Sequence, residues 1–322
     1  MEDKIGKEKR KFFVLADIGG TTISTMMVDS YNNVLTKIMK RPTERTLPEE
    51  RILSNIVCSL QDTISKAALK ERQFVQLLVA LPSRLDEKGN IIPCPNLPTF
   101  GEVNLAKELE SRLNMPVFVS SDSYCFAAGE FAAGCAKGFR NFCAITLGTG
   151  VGLAFFINGK PFFGPQGLAG EIWTSAYCGG KWEDFVSANY MQSVYQEGTG
   201  EILEVKEIAK RAFDGEKKAR EVFTTFGIHL AHGLSYVVNI LDPEIIVFGG
   251  SISQSFELFK YSTIQTLRRY LVKNKRIIIK ASAHPDVSSL FGIKWLYEHR
   301  YFTKYYPKKR ATKVAGRRKD NV

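Results

Sequence analysis

Two periods alternate along the chain. Apolar runs closed by glycine or proline predict strands at 12–18, 23–29, 74–81, 117–119, 142–147, 153–157, 245–248 and 276–280. Apolar residues three and four apart predict helices at 50–69 (Ile52, Ile56, Leu60, Ile64, Ala68), 105–113, 182–195, 204–211, 217–241, 255–272 and 289–301. Residues 123–136 are small and apolar, which suits a close-packed helix. Asn32-Asn33 predicts a hairpin turn into a strand over 34–39, and Asn158-Gly159 a second hairpin turn. The order strand, glycine turn, strand, hairpin occurs twice, with Phe142 lying 129 positions after Phe13. This repetition suggests two related α/β halves.

The 322 residues are 44% hydrophobic and 24% charged, which supports a sizeable core and excludes a mainly disordered chain. No apolar run approaches the ~20 residues that span a bilayer. The charged N-terminus leads into a short apolar run without a leader-type cleavage site, so a cytoplasmic protein is expected and no membrane partner. The net charge is +11, but residues 304–322 hold eight Lys/Arg and one Asp, leaving about +4 for the body. That basic tail reads as a solvated, disordered terminus. Its aromatics, Tyr305 and Tyr306, stand only at its start, so nucleic acid is not expected as a partner. The six cysteines form no CxxC or CxC pair, which argues against a disulfide framework or a zinc site.

Three glycine turns directly follow apolar strands: Asp17-Ile18-Gly19-Gly20-Thr21-Thr22, Leu147-Gly148-Thr149-Gly150 and Phe248-Gly249-Gly250-Ser251. Glycine lets backbone approach a phosphate and aim successive N–H groups at it, and threonine adds hydroxyl donors. None is a GxxxxGK(S/T) loop, and none is a GxGxxG opening a helix. Asp17 ends a buried strand, where a carboxylate either forms the turn or holds a Mg²⁺-bound water near nucleotide phosphates. Asp122 follows another strand at a natural helix start. It is either an N-cap or a general base that deprotonates a hydroxyl attacking phosphorus. Glu171 and Glu183 flank an aromatic segment, a pairing that suits vicinal sugar hydroxyls, although Glu183 also fits the first turn of a helix.

At these residues the chain resembles the ROK family of sugar kinases and sugar-responsive repressors, in family order from about residue 13 to 293. DIGGTT (17–22) is similar to the first phosphate motif, with Thr22 where Lys is common. The segment ending Pro95-Asn96-Leu97-Pro98 resembles the stretch whose Asn contacts sugar. Val119 to Glu130 resembles the segment holding the catalytic Asp, LGTGVG (147–152) through Glu171 the family signature, and 241–250 the adenosine-side motif. The resemblance implies an actin-like ATPase (ribonuclease H-like) fold, two α/β domains with the active site in the cleft between them. Residues 1–119, completed by a C-terminal helix at about 289–303, would form the smaller domain and 120–288 the larger. It implies ATP and Mg²⁺, a hexose acceptor (usually its 6-OH), and a homodimer. Asp122 would be the base. Asp17, Gly19, Gly20, Thr21, Thr22, Gly148, Thr149 and Gly150 would serve the phosphates, with Gly249, Gly250 and Ser251 beside adenosine. Asn96, Ser121, Asp122, Glu171, Thr174 and Glu183 would line the sugar site.

The departures cluster at the sugar end. Ser121 replaces the family's Asn, Trp173 a Gly, and Thr174 a His. The zinc loop is shortened to 177–182, with Cys178 its one remaining ligand, so no structural zinc is expected. An ATP-dependent sugar kinase is the leading expectation. A non-catalytic sugar or nucleotide sensor is the alternative. A sugar-responsive transcriptional regulator is a third, but the roughly 60–80 residues of an N-terminal helix-turn-helix domain have no counterpart before the first strand.

Overall fold

The computed structural model describes residues 11–67, 75–86, 88–92, 96–272 and 275–301. The basic tail, Pro93 to Pro95 of the Asn96 segment, and the predicted ends at Phe74, Ala68 and Leu69 lie outside the described residues. The first sheet joins β1 (Phe12–Ile18), β2 (Thr22–Asp29), β3 (Met39–Pro42), β4 (Val75–Leu81) and β5 (Val117–Ser121) in the order β3-β2-β1-β4-β5. The second joins β6 (Phe142–Leu147), β7 (Val151–Ile157), β8 (Lys160–Pro161), β11 (Ile245–Gly249) and β12 (Ile278–Ala281) in the order β12-β11-β6-β7-β8. In each, the leading strand pairs antiparallel with its hairpin partner and parallel with a later strand. The repeat in the sequence is therefore a repeat of sheet topology. A small hairpin, β9 (Ala176–Tyr177) and β10 (Gly180–Lys181), stands apart.

Strand alternation sorts the core into layers. Val14, Ala16 and Ile18 pack outward with α1 (Glu49–Lys66) and α2 (Leu105–Leu113), while Phe13 and Leu15 face inward. Cys143, Ile145 and Leu147 pack outward with α4 (Ala188–Thr199), α5 (Val205–Phe213), α6 (Lys217–Leu241) and α7 (Phe256–Arg268), while Phe142 and Ala144 face inward. Between the two inner faces lie α3 (Asp122–Ala133) and α8 (Pro285–Glu298).

The small residues of α3 have a steric reason. A Cβ on Gly292 of α8 would stand 1.7 Å from the Cys125 carbonyl oxygen, and one on Gly129 of α3 would stand 2.0 Å from that of Ser288. Both obstacles are backbone, so neither can rotate away. Gly292→Ala is expected to destabilise the protein by about 3 kcal/mol or more, measured by urea unfolding.

Two predicted elements are interrupted. The strand at 34–39 is interrupted, and pairing with β2 resumes only at Met39. The Asp29 carboxylate takes the N–H groups of Tyr31 and Asn33, and the Thr36 hydroxyl replaces a ladder carbonyl by accepting from Met27 N–H at 2.9 Å. The helix predicted at 182–195 is a 3₁₀ turn over Trp182–Phe185, then α4. The Trp182 indole is buried against Gly233 and donates to the His229 carbonyl at 2.8 Å, while Asp184 accepts from Lys181 N–H and the Ser187 hydroxyl caps the restarted helix. Elsewhere α7 ends at Arg268, short of the predicted 272, and α8 begins at Pro285, ahead of the predicted 289. Among the described residues no helix is long and apolar enough to cross a membrane.

Candidate active site

A cleft of about 430 Å³ opens where the parallel strands of both sheets end. In α/β sheets that is where loops are free to converge on a ligand. Asp17 comes from the end of β1, and Ser83 and Arg84 follow β4. Ser121 and Asp122 stand at the β5–α3 junction, Gly148 to Gly150 follow β6, and Gly250 and Ser251 follow β11. Gly19, Gly20, Thr21, Thr22, Asn96, Glu171 and Glu183 complete the predicted residues that line it.

Two predicted residues fall outside this wall. Thr174 is exposed, and its hydroxyl donates back to the Glu171 carbonyl at 2.9 Å; Trp173 takes the wall position instead. Gly249 lies beneath the wall against the Phe126 ring. A second cavity of about 350 Å³, lined by Arg45, Asp184 and Tyr190 among others, adjoins the cleft through Asn96, Thr149 and Glu183.

The first two glycine turns are braced from outside. Thr43 is fully buried and donates to the Gly19 carbonyl at 2.7 Å, while its N–H donates to the Thr21 carbonyl. Glu183 accepts from Val151 N–H at 2.8 Å, and a Cβ on Gly150 would stand 2.3 Å from that carboxylate. Only glycine leaves room for both the turn and its brace.

Acidic groups dominate the floor. The Asp17 carboxyl is pushed up to about 7 by burial, then by the charges of Asp122 and Asp286, with a Ser289 hydrogen bond and Lys40 opposing. The Asp122 carboxyl is pushed up to about 6, again first by burial; the Arg84 charge and the Ser123 N–H oppose, and Glu171 adds to the rise. Both keep a small edge open to the cleft. Burial also raises Glu183. These are the ionisations expected of groups that exchange protons near neutrality or await a cation.

Sequence reasoning missed Arg84, Lys40, Asp286 and Ser289, and named Trp173 only as a departure from the family motif; all five line the cleft. Lys40 and Asp286 form an ion pair at 2.6 Å. The signal for Arg84 was faint, a cation three positions beyond the buried strand β4, after Pro82 and Ser83. On the far side, Tyr177 and Tyr190 grip the two ring nitrogens of His229 at 2.9 and 3.0 Å, holding the shortened loop onto α6. Among the described residues no three His, Cys, Asp or Glu side chains are grouped to hold a metal ion.

A family model described as the ROK family matches residues 14–300. An N-acetyl-D-glucosamine kinase of Pectobacterium carotovorum is 25% identical, covering 87% of this chain and 97% of its own. A glucokinase of Halalkalibacterium halodurans is 27% identical, covering 76% and 82%. The crystal structure of a ROK family glucokinase from Streptomyces griseus, in complex with glucose and AMPPNP, superposes with a TM-score of 0.75. It is 24% identical and covers 88% of this chain and 97% of its own, a likeness of fold.

Proposed function

The chain belongs to the ROK family, with the actin-like ATPase fold, and on that premise we propose that it is an ATP-dependent sugar kinase. One observation carries the reading: Asp122, at the first position of α3, shares the cleft floor with Asp17 between the two braced glycine turns. The relatives that act on N-acetyl-D-glucosamine and the glucokinases support a sugar as acceptor.

Asp122 takes the proton of a hexose hydroxyl, the 6-OH in our reading, as that oxygen attacks the γ-phosphorus of ATP. The new O–P bond replaces the bond to the β-phosphate oxygen, and ADP leaves with the electron pair. The first turn and Gly148 to Gly150 hold the phosphates, with Gly250 and Ser251 on the adenosine side. Asn96, Ser121, Glu171 and Glu183 orient the sugar, and Trp173 offers an apolar face to its ring. The enclosed, electron-rich floor suits a divalent cation. Mg²⁺ would be held by the nucleotide phosphates and reached from Asp17 through water, supplying charge neutralisation there. Water is excluded as residues 1–119, with the C-terminal helix, close on 120–288.

The test is purified protein with ATP·Mg²⁺ and a panel of glucose, mannose, fructose, allose, N-acetylglucosamine and N-acetylmannosamine, coupled to ADP release. We expect sugar-dependent ADP release and a phosphorus resonance coupled to the C6 protons of the product. Binding of ATP and sugar by calorimetry without turnover on any sugar would transfer the protein to the sensor reading.

A further inference from the structure

Arg84 is nearly fully buried at the sugar end of the cleft, with a side chain only 6% exposed. Its guanidinium has five N–H groups, and five acceptors meet them. Nε donates to Glu171 Oε1 at 2.5 Å, Nη1 to the Ser121 and Ser123 hydroxyls at 2.6 and 3.1 Å, and Nη2 to the carbonyls of Leu153 and Ala169 at 2.9 and 3.4 Å. The group also lies over the Tyr124 ring at 4.9 Å. These partners come from the β5–α3 junction, from β7 of the other sheet, and from the segment before Glu171. Gly170 makes the seat possible: at φ +96° it carries no Cβ where one would stand 2.2 Å from the Leu153 carbonyl and 3.3 Å from Arg84 Nη2.

We infer that Arg84 is a positioning residue for the acceptor sugar, a cross-brace between the two sheets that orients Ser121 and Glu171 and places a fixed cation beside Asp122. The inference rests on the kinase reading of the cleft. With all five donors committed, Arg84 does not itself contact substrate. It determines what its neighbours present. Glu171 is gripped on both oxygens, by Arg84 on Oε1 and by the Trp173 indole N–H on Oε2 at 2.6 Å. Its carboxylate plane is therefore set before any sugar arrives, and its remaining lone pairs accept from sugar hydroxyls in one orientation. Ser121, shorter than the Asn of the resembled motif, leaves the space through which the guanidinium reaches its hydroxyl. The shorter side chain at 121 and the outward-turned Thr174 are compensated by an internal frame that fixes the groups still facing the sugar. The same fixed charge is the largest influence opposing the rise of the Asp122 carboxyl.

The experiment compares wild type, Arg84→Lys and Arg84→Gln. For Arg84→Gln the KM for the best sugar should rise about 10-fold or more, because a half-buried carboxylate loses its charged partner. The KM for ATP should stay within about twofold, since Arg84 reaches neither phosphate turn. Arg84→Lys restores charge but not the five-way geometry, so it should recover little of the sugar KM. Independently of turnover, the Trp173 indole ¹⁵N–¹H resonance (assigned through Trp173→Phe) should move in both variants. Sugar and ATP KM rising together with a lower unfolding midpoint would make Arg84 a structural residue only. An unchanged sugar KM with an unmoved Trp173 resonance would also overturn the inference. If the wild type turns over no sugar, the kinase reading fails, while the Trp173 resonance and calorimetric sugar binding still decide the role of Arg84.

Discussion

Asp122→Asn is expected to lower kcat by about three orders of magnitude, while sugar and ATP still bind. The amide keeps the size and accepts the same neighbours, but it cannot take a proton from the attacking hydroxyl. The wild-type pH profile should show why. As the proposed base the carboxyl must be ionised, and its value near 6 would put the acid limb of kcat/KM there, with activity climbing as pH rises through it. Asp17, near 7, faces the same floor, so the limb belongs to the pair rather than to one residue. Arg84 from the loop after β4 and Glu171 beyond β8 act on Asp122 with opposite sign, and Lys40 from β3 and Asp286 from α8 act on Asp17. The check is steady-state kinetics from pH 5 to 9 on both proteins, with calorimetry to show that the variant still binds. An Asn variant that kept turnover within threefold of wild type at every pH would remove Asp122 from the role of base.

Much of this site was legible because its parts are local. A strand followed by glycines and threonine is one contiguous signal, and β1, β6, α2 and α6 lie where apolar spacing puts them, to the residue. What was hidden is long-range. The side-chain and main-chain acceptors of Arg84 lie 37 to 87 positions away along the chain, so no local window contains the reason that an arginine is buried there. Thr174 was placed by its motif position, but a 3₁₀ turn over Ile172–Thr174 rotates it outward and brings Trp173 to the wall. The break at 185–188 was invisible for a similar reason. Trp182 continues the helical spacing, yet its indole is seated in a notch of α6 that only Gly233, fifty-one positions on, provides.

Asp17→Asn is expected to make the protein more stable at pH 8 and nearly inactive. The ordinary carboxyl releases its proton near 3.8, whereas Asp17 in the folded chain holds it to about 7. Between those values the folded state binds the extra proton, so this group's contribution is full below about pH 4 and is lost as pH rises towards 7. Above pH 7 the folded chain carries an ionised carboxylate in a site that disfavours it. The full shift would correspond to about 4 kcal/mol, and the edge open to the cleft reduces this, so a gain of about 2–4 kcal/mol at pH 8 is expected for the Asn variant. At pH 4 the two proteins should match. Urea unfolding at pH 4, 6 and 8 reads this directly: wild type loses stability with pH relative to the variant, and the curves converge in acid. Parallel curves, or an Asn variant weaker at pH 8, would mean that the carboxylate is satisfied as an anion by its own neighbours. In the kinase reading turnover should fall about 100-fold or more, because the negative charge that would face the phosphates and their cation is gone. An acid whose ionised form is disfavoured at the end of a buried strand is a group that a bound cation would relieve, so in the kinase reading wild type should gain more thermal stability from ATP·Mg²⁺ than Asp17→Asn does.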